Sequence, residues 1–163
     1  MSEPTIDVVF QAVPATRVAT MTRRAAGFGS EQIGPVVEPM FSEAAALLAA
    51  ADVEYGPAIA TYAADDSGEG SGVVVTAGFE VEGVVEAVQG LDVHVLPGAE
   101  RAAVATHRGV VATIDRSWRA LADRVREEGE ELAGAAREIY LTPGDHPQEE
   151  WVTELVQPVA PRP

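Results

Sequence analysis

Two side chains late in the chain invite chemistry. In Glu138-Ile139-Tyr140-Leu141 a carboxylate and a phenol stand two residues apart. Strand alternation puts Glu138 and Tyr140 on one face and Ile139 and Leu141 on the other, with the first pair about 7 Å apart at the backbone. At that spacing a carboxylate can polarise a water while a phenol meets an oxygen that gains negative charge. A second acid, Glu154, follows between Thr153 and Leu155. An isolated Glu-x-Tyr is also what a solvated strand face looks like, with Arg137 or another Arg pairing Glu138.

Elements must hold these groups, and an internal repeat suggests which. Val13-Pro14-Ala15-Thr16-Arg17-Val18-Ala19-Thr20 returns as Leu96-Pro97-Gly98-Ala99-Glu100-Arg101-Ala102-Ala103-Val104-Ala105-Thr106: apolar residue, Pro, turn, Arg, apolar strand. Each copy is followed by a one-sided apolar stripe at helical spacing. These are Phe41, Ala45, Leu48, Ala49 and then Trp118, Leu121, Ala122, Val125. Asp115 or Ser117 is a candidate cap for the second helix, and Gly129 a stop. Strands ending in an aromatic come next, Ala58–Tyr62 and Glu138–Leu141, then a last strand in each half, Val73–Val81 and Trp151–Val159.

Each half thus reads strand, strand, helix, strand, strand. The expectation is an α+β fold of duplicated antiparallel sheet units, each with one long helix and with a ligand cleft between the halves. The pseudo-repeat halves fall at about 5–82 and 92–159 of a single domain spanning 1–163, joined near Gly83–Leu91. Asp65–Gly72 and Thr142–Pro147 read as turns, and residues 160–163 as a frayed tail. Ile139 and Leu141 are expected under the helix carrying Trp118, which turns Glu138 and Tyr140 toward the groove between the halves.

Composition narrows the function. The 163 residues include no cysteine, which excludes a disulfide scaffold, thiolate metal sites and a cysteine nucleophile. The net charge is −15, with every basic residue an Arg. Such a field opposes phosphate backbones and anionic lipid surfaces and attracts cations. No apolar run of 18 or more residues and no signal peptide is evident, so the reading is a cytoplasmic protein.

Other motifs fail on spacing. Gly27-Phe28-Gly29 is followed by Gln32 where a dinucleotide turn needs glycine. Gly68, Gly70 and Gly72 lack the Lys-Ser or Lys-Thr of a phosphate loop, and a calcium loop starting at Asp65 would close on Thr76 rather than Glu. His94, His107 and His146 are scattered and read as ordinary residues. The run Arg124–Glu131 reads as a solvated helix end. No cofactor or metal is expected.

Four phrases carry a resemblance. They are Ala105-Thr106-His107-Arg108-Gly109, Ser117-Trp118-Arg119-Ala120-Leu121, Arg137-Glu138-Ile139-Tyr140-Leu141 and Val152-Thr153-Glu154-Leu155-Val156-Gln157-Pro158-Val159. In order and spacing they resemble the GyrI-like small-molecule-binding family, the effector-binding domain of bacterial multidrug-responsive regulators. The first half matches more loosely through Val13-Pro14-Ala15 and Gly56-Pro57-Ala58-Ile59. The resemblance implies a duplicated fold whose cleft takes cationic, lipophilic drugs. An acid at Glu138 would meet the cation in an aromatic-lined pocket, with Glu154 as a second acid. Tyr140 and Trp118 stand where the family places pocket aromatics, and Phe41, Tyr55, Tyr62 and Phe79 are wall candidates from the first half.

The physics of such a site is promiscuous. Apolar burial contributes about 25 cal/mol per Å², and each ring face adds about 0.5–2 kcal/mol of cation–π attraction. The chain begins at the effector domain, so the expectation is a stand-alone binder of lipophilic cationic or aromatic small molecules, in sensing or sequestration, that does not bind nucleic acid or membrane directly. Some free-standing relatives resemble hydrolases of strained cyclopropanes in genotoxic natural products; on that alternative Glu138 acts on a water and Tyr140 donates a proton. A third alternative is an interaction protein like a gyrase inhibitor, its acidic surface mimicking DNA.

Overall fold

The computed structural model describes residues 6–27, 29–64, 72–142 and 146–161. In chain order the elements are β1 (Val8–Val13), β2 (Thr16–Ala25), α1 (Ser30–Ala50), β3 (Tyr55–Ala64), β4 (Val73–Val81), β5 (Asp92–Leu96), β6 (Ala99–Arg108), α2 (Ile114–Glu127), β7 (Glu130–Leu132), β8 (Ala136–Tyr140) and β9 (Val152–Pro161). The strand–strand–helix–strand–strand order occurs twice, with β7 as an extra short strand. The fold is α+β, with its strands paired antiparallel.

The chain forms two compact units that are not the two sequence halves. Residues 14–98 make one unit; those up to Val13, with those from Ala99 onward, make the other. The opening strand of each repeat has changed places: β1 pairs with β6, and β5 with β2. Repetition shows which segments are alike but not which strands pair. A two-residue hairpin needs positive φ, which neither Pro14-Ala15 nor Pro97-Gly98 supplies. Each proline connection instead passes the chain from one unit to the other. Gly83–Leu91, expected at the join, lies within unit 14–98.

In unit 14–98 the strands run β3-β4-β2-β5. Helix α1 packs on the face carrying Ala19, Phe79 and Val93, which share a register row. Its buried stripe is Ile33, Val37, Met40, Ala44 and Leu48. Of the expected stripe, Leu48 is buried, Phe41 and Ala45 are half-buried, and Ala49 is exposed. An alanine-rich helix is apolar on more than one face, so periodicity alone misplaces the stripe by a residue. By length and mean hydropathy α1 is apolar enough to cross a membrane, contrary to the sequence reading. Met40, Ala44 and Leu48 are nonetheless wholly buried in the unit, and the helix is docked on a sheet.

Gly78 sits in β4 opposite Thr20 on one side and Ile59 on the other. A Cβ there would lie 1.9 Å from the Ala19 carbonyl oxygen. Backbone rather than a flexible side chain would have to move, so Gly78→Ala is expected to destabilise the protein by about 1–3 kcal/mol. A urea midpoint equal to that of the parent would refute this.

The other unit runs β1-β6-β9-β8, with β7 also paired to β9. Helix α2 covers one face through Ile114, Leu121 and Val125, packed with Ala103, Ala105, Leu155 and Val159 and flanked by Val8, Phe10 and Trp118. Fully burying a side chain such as Leu121 or Leu155 contributes about 1.5–3 kcal/mol. Neither expected cap stands at the helix start: Thr113 is the N-cap residue, without a side-chain cap bond, and Asp115 and Ser117 lie inside α2. Gly129 does stop the helix, at φ +75°, its N–H donating to the Arg126 carbonyl at 3.0 Å.

Ala160 and Pro161, expected in a frayed tail, pair with β7. The charge run is solvated only in part. Arg124 pairs with Glu128 and Arg126 with Asp123 on the surface, but Glu130 is buried and accepts from Arg101 Nε at 2.7 Å. Residues 65–71 of the glycine-rich turn, 143–145 of the proline turn, Phe28 and residues 162–163 lie outside the described residues.

Candidate functional site

Register decides where the acids point. On β8 and β9 Glu138 is opposite Leu155 and Tyr140 opposite Thr153, whereas Ile139 is opposite Glu154. Opposed residues share a face. Leu155 belongs to the core under α2, so Glu138 and Tyr140 face the helix, and Ile139 and Glu154 face away from it. This reverses the expected arrangement. Ile139 is half-buried and Leu141 exposed, neither of them under α2. Alternation had grouped the side chains correctly but could not say which group the helix covers.

Facing the helix brings three predicted residues together. Trp118 Nε1 donates to Glu138 Oε2 at 2.6 Å, and the Tyr140 hydroxyl donates to Glu138 Oε1 at 2.5 Å. Each carboxylate oxygen therefore accepts a hydrogen bond from an aromatic side chain, and Glu138 is only 7% exposed. Trp118 was placed in the helix's apolar stripe, and its indole N–H uses the edge of that stripe. Glu154 does not join them. It is half-buried opposite Thr106 and Ile139, on the other face.

A second polar pair lies beside this trio, and sequence reasoning missed it. His107 Nδ1 and Ser117 Oγ are 2.7 Å apart, and His107 Nε2 is 2.8 Å from the Val110 carbonyl oxygen. Both residues are buried. The signal was in the helical period: Ser117 falls in the buried stripe with Ile114, Leu121 and Val125. A hydroxyl in such a stripe needs a partner. Alternation likewise puts His107 on the face of Ala103 and Ala105.

Between the two groups stands Thr153, opposite His107 on one side and Tyr140 on the other. It is fully buried, and its Oγ1 has no hydrogen-bond partner among the described residues. Thr153→Val removes that hydroxyl at nearly constant volume and is expected to stabilise the fold by about 1 kcal/mol. Chemical denaturation measures it, and a loss of stability would show that the hydroxyl is satisfied.

The remaining aromatic candidates belong to unit 14–98. Phe41 and Phe79 meet edge to face with centroids 6.0 Å apart, and Tyr55 and Phe79 stand 4.5 Å apart at a 52° tilt. Such geometries add about 0.5–1.5 kcal/mol beyond area burial. Tyr62 shares the face of Phe79: it is opposite Val75, four residues along β4, or about 13 Å. In the same unit a depression of about 530 Å³ between β2 and α1 is lined by Met21, Thr22, Arg23, Glu43, Ala46, Leu47 and Gly90. None of the predicted site residues lines it. Among the described residues no three His, Asp or Glu side chains gather to hold a metal ion.

Comparison with known proteins places this architecture. The C-terminal domain of EcmrR superposes with a TM-score of 0.70 at 17% identity, over 96% of this chain and 99% of that one. A hydrolase encoded by lin2189 from Listeria innocua gives 0.64 at 12% identity, covering 96% and 93%. SAV2435, solved bound to tetraphenylphosphonium, gives 0.64 at 14% identity, covering 94% of each chain. At these identities the likeness is one of fold. No curated protein matches in sequence. The sequence itself matches the GyrI-like small molecule binding domain over residues 6–160, nearly its whole length, and the chain belongs to that family.

Proposed function

We propose that this chain binds lipophilic, often cationic, aromatic small molecules at Glu138, as a cytoplasmic sensor or sequestering protein. The observation that carries the reading is the buried Glu138 carboxylate held between the Trp118 indole and the Tyr140 phenol. A flat cation there gains a counter-charge and two ring faces, each worth about 0.5–2 kcal/mol. The net charge of −15 draws cations toward the protein. SAV2435, of like fold, was solved with a lipophilic cation bound. Phe41, Tyr55, Tyr62 and Phe79 are proposed as further aromatic surface for such ligands. Glu154, turned to the other face of its sheet, is expected to matter less.

The test is a pair of dyes of matched size and opposite charge, titrated at moderate salt with tetraphenylphosphonium as competitor. The cation is expected to bind in the micromolar range and the anion far more weakly. Equal affinities would remove the electrostatic basis of the reading.

A second reading is favoured by one contact. The Tyr140 hydroxyl and a Glu138 oxygen are already hydrogen-bonded at 2.5 Å, an acid–base pair of the kind that activates a water. On this reading the site hydrolyses a strained, activated cyclopropane: water adds to a ring carbon, a ring C–C bond breaks, and its electron pair moves to the conjugated oxygen. Glu138 takes the water's proton and Tyr140 protonates the oxygen.

A further inference from the structure

We infer that His107 and Ser117 are positioning residues for the Glu138 site: their hydrogen bond fixes the rotation of α2 that holds the Trp118 indole on the carboxylate. The direction of the bond follows from its neighbour. A carbonyl only accepts, so the His107 nitrogen at the Val110 oxygen carries the proton. In the neutral imidazole the other ring nitrogen then accepts, and the Ser117 hydroxyl donates to it. Both nitrogens of the imidazole are thereby committed, one to the turn before α2 and one to the helix itself.

Besides the packing of Ile114 and a 3.3 Å bond from the Val111 N–H to Gln148 Oε1, the helix start has no side-chain cap among the described residues. Thr113 makes no side-chain cap bond, because its hydroxyl donates to the Val110 carbonyl at 3.1 Å. Consecutive helical residues point about 100° apart. Fixing Ser117 against β6 therefore determines where Trp118 sweeps. His107, Thr153 and Tyr140 form one register row across β6, β9 and β8, in which the outer strands are about 10 Å apart. Ser117 is bonded above β6 and Trp118 above β8. Two adjacent residues thus tie one turn of α2 at two points of the sheet. At a buried helical position alanine suits both propensity and packing, so the contribution of the Ser117 hydroxyl lies in this bond.

The experiment uses the full chain carrying Trp151→Phe, which leaves Trp118 as the only tryptophan. Emission maximum and acrylamide quenching of Trp118 are measured with and without Glu138→Gln. With Ser117 present, Glu138→Gln is expected to shift the emission. In Ser117→Ala the quenching constant is expected to rise at least twofold and the response to Glu138→Gln to vanish, while Ser117→Thr, which keeps the hydroxyl, restores both. Tetraphenylphosphonium affinity by calorimetry is expected to fall about tenfold in Ser117→Ala and to recover in Ser117→Thr. This last arm rests on the function proposed above; the fluorescence arm does not. Failure of the parent protein to bind the cation would refute that function and leave the positioning test intact.

If Ser117→Ala is folded by circular dichroism with unchanged quenching and an unchanged response to Glu138→Gln, the positioning role is wrong, whatever happens to stability. Should Ser117→Ala not fold, His107→Phe decides: it keeps a planar ring and loses the bonds to Ser117 and the Val110 carbonyl, so altered Trp118 emission that His107→Gln restores supports the inference and parental emission overturns it.

Discussion

Glu138→Gln is expected to weaken binding of a flat lipophilic cation by about 10- to 100-fold, the 1–3 kcal/mol associated with losing a desolvated charge partner. The fold should tolerate the change. The Gln carbonyl oxygen can accept from Trp118 Nε1, and its amide can donate to the Tyr140 oxygen, since a phenol accepts as well as donates. Both hydrogen bonds at positions 118 and 140 survive with one reversed. The variant therefore separates charge from architecture. Titration of parent and variant with the same cationic dye, beside their urea midpoints, measures both. A midpoint near that of the parent together with parental affinity would show that the ligand does not use the carboxylate's charge.

Tyr140→Phe gives the second large effect, on turnover. On the hydrolytic reading it is expected to slow conversion of an activated cyclopropane by about 10- to 1000-fold while leaving stacking on the ring nearly intact. Glu138→Gln should then cost more in turnover than in binding, because a base acts only in the transition state. Single-turnover measurement on bound substrate distinguishes the two effects. If both variants bind less well but convert bound substrate at the parental rate, the residues only bind.

What could be read in the sequence differed by level. Helix and strand order was visible because each depends on local periodicity; β4 spans Val73–Val81 as read. The pairing of β1 with β6 was not visible, since repeats carry no record of their partners. Glu138 and Tyr140 were seen to share a face, but the face under α2 depends on the register of three strands. Thr153, Leu155 and Gln157 alternate with Glu154, Val156 and Pro158, and both series mix polar with apolar residues, so β9 does not announce its buried side. Trp118 was found through its helical spacing. Its bond to Glu138 follows only once the sheet is turned over, and the same turn puts Glu154 on the other face.

The exchange of opening strands bears on how the protein is made. Unit 14–98 is one uninterrupted stretch, and its strands can pair as soon as it has left the ribosome. The other unit must hold β1 unpaired until β6 has been synthesised, a wait that spans all of 14–98, and then close that long loop. Because long-range pairing is slow and unpaired strands invite wrong partners, nascent chains halted just after residue 98 has cleared the ribosome should show one protease-resistant body while β1 remains cleavable.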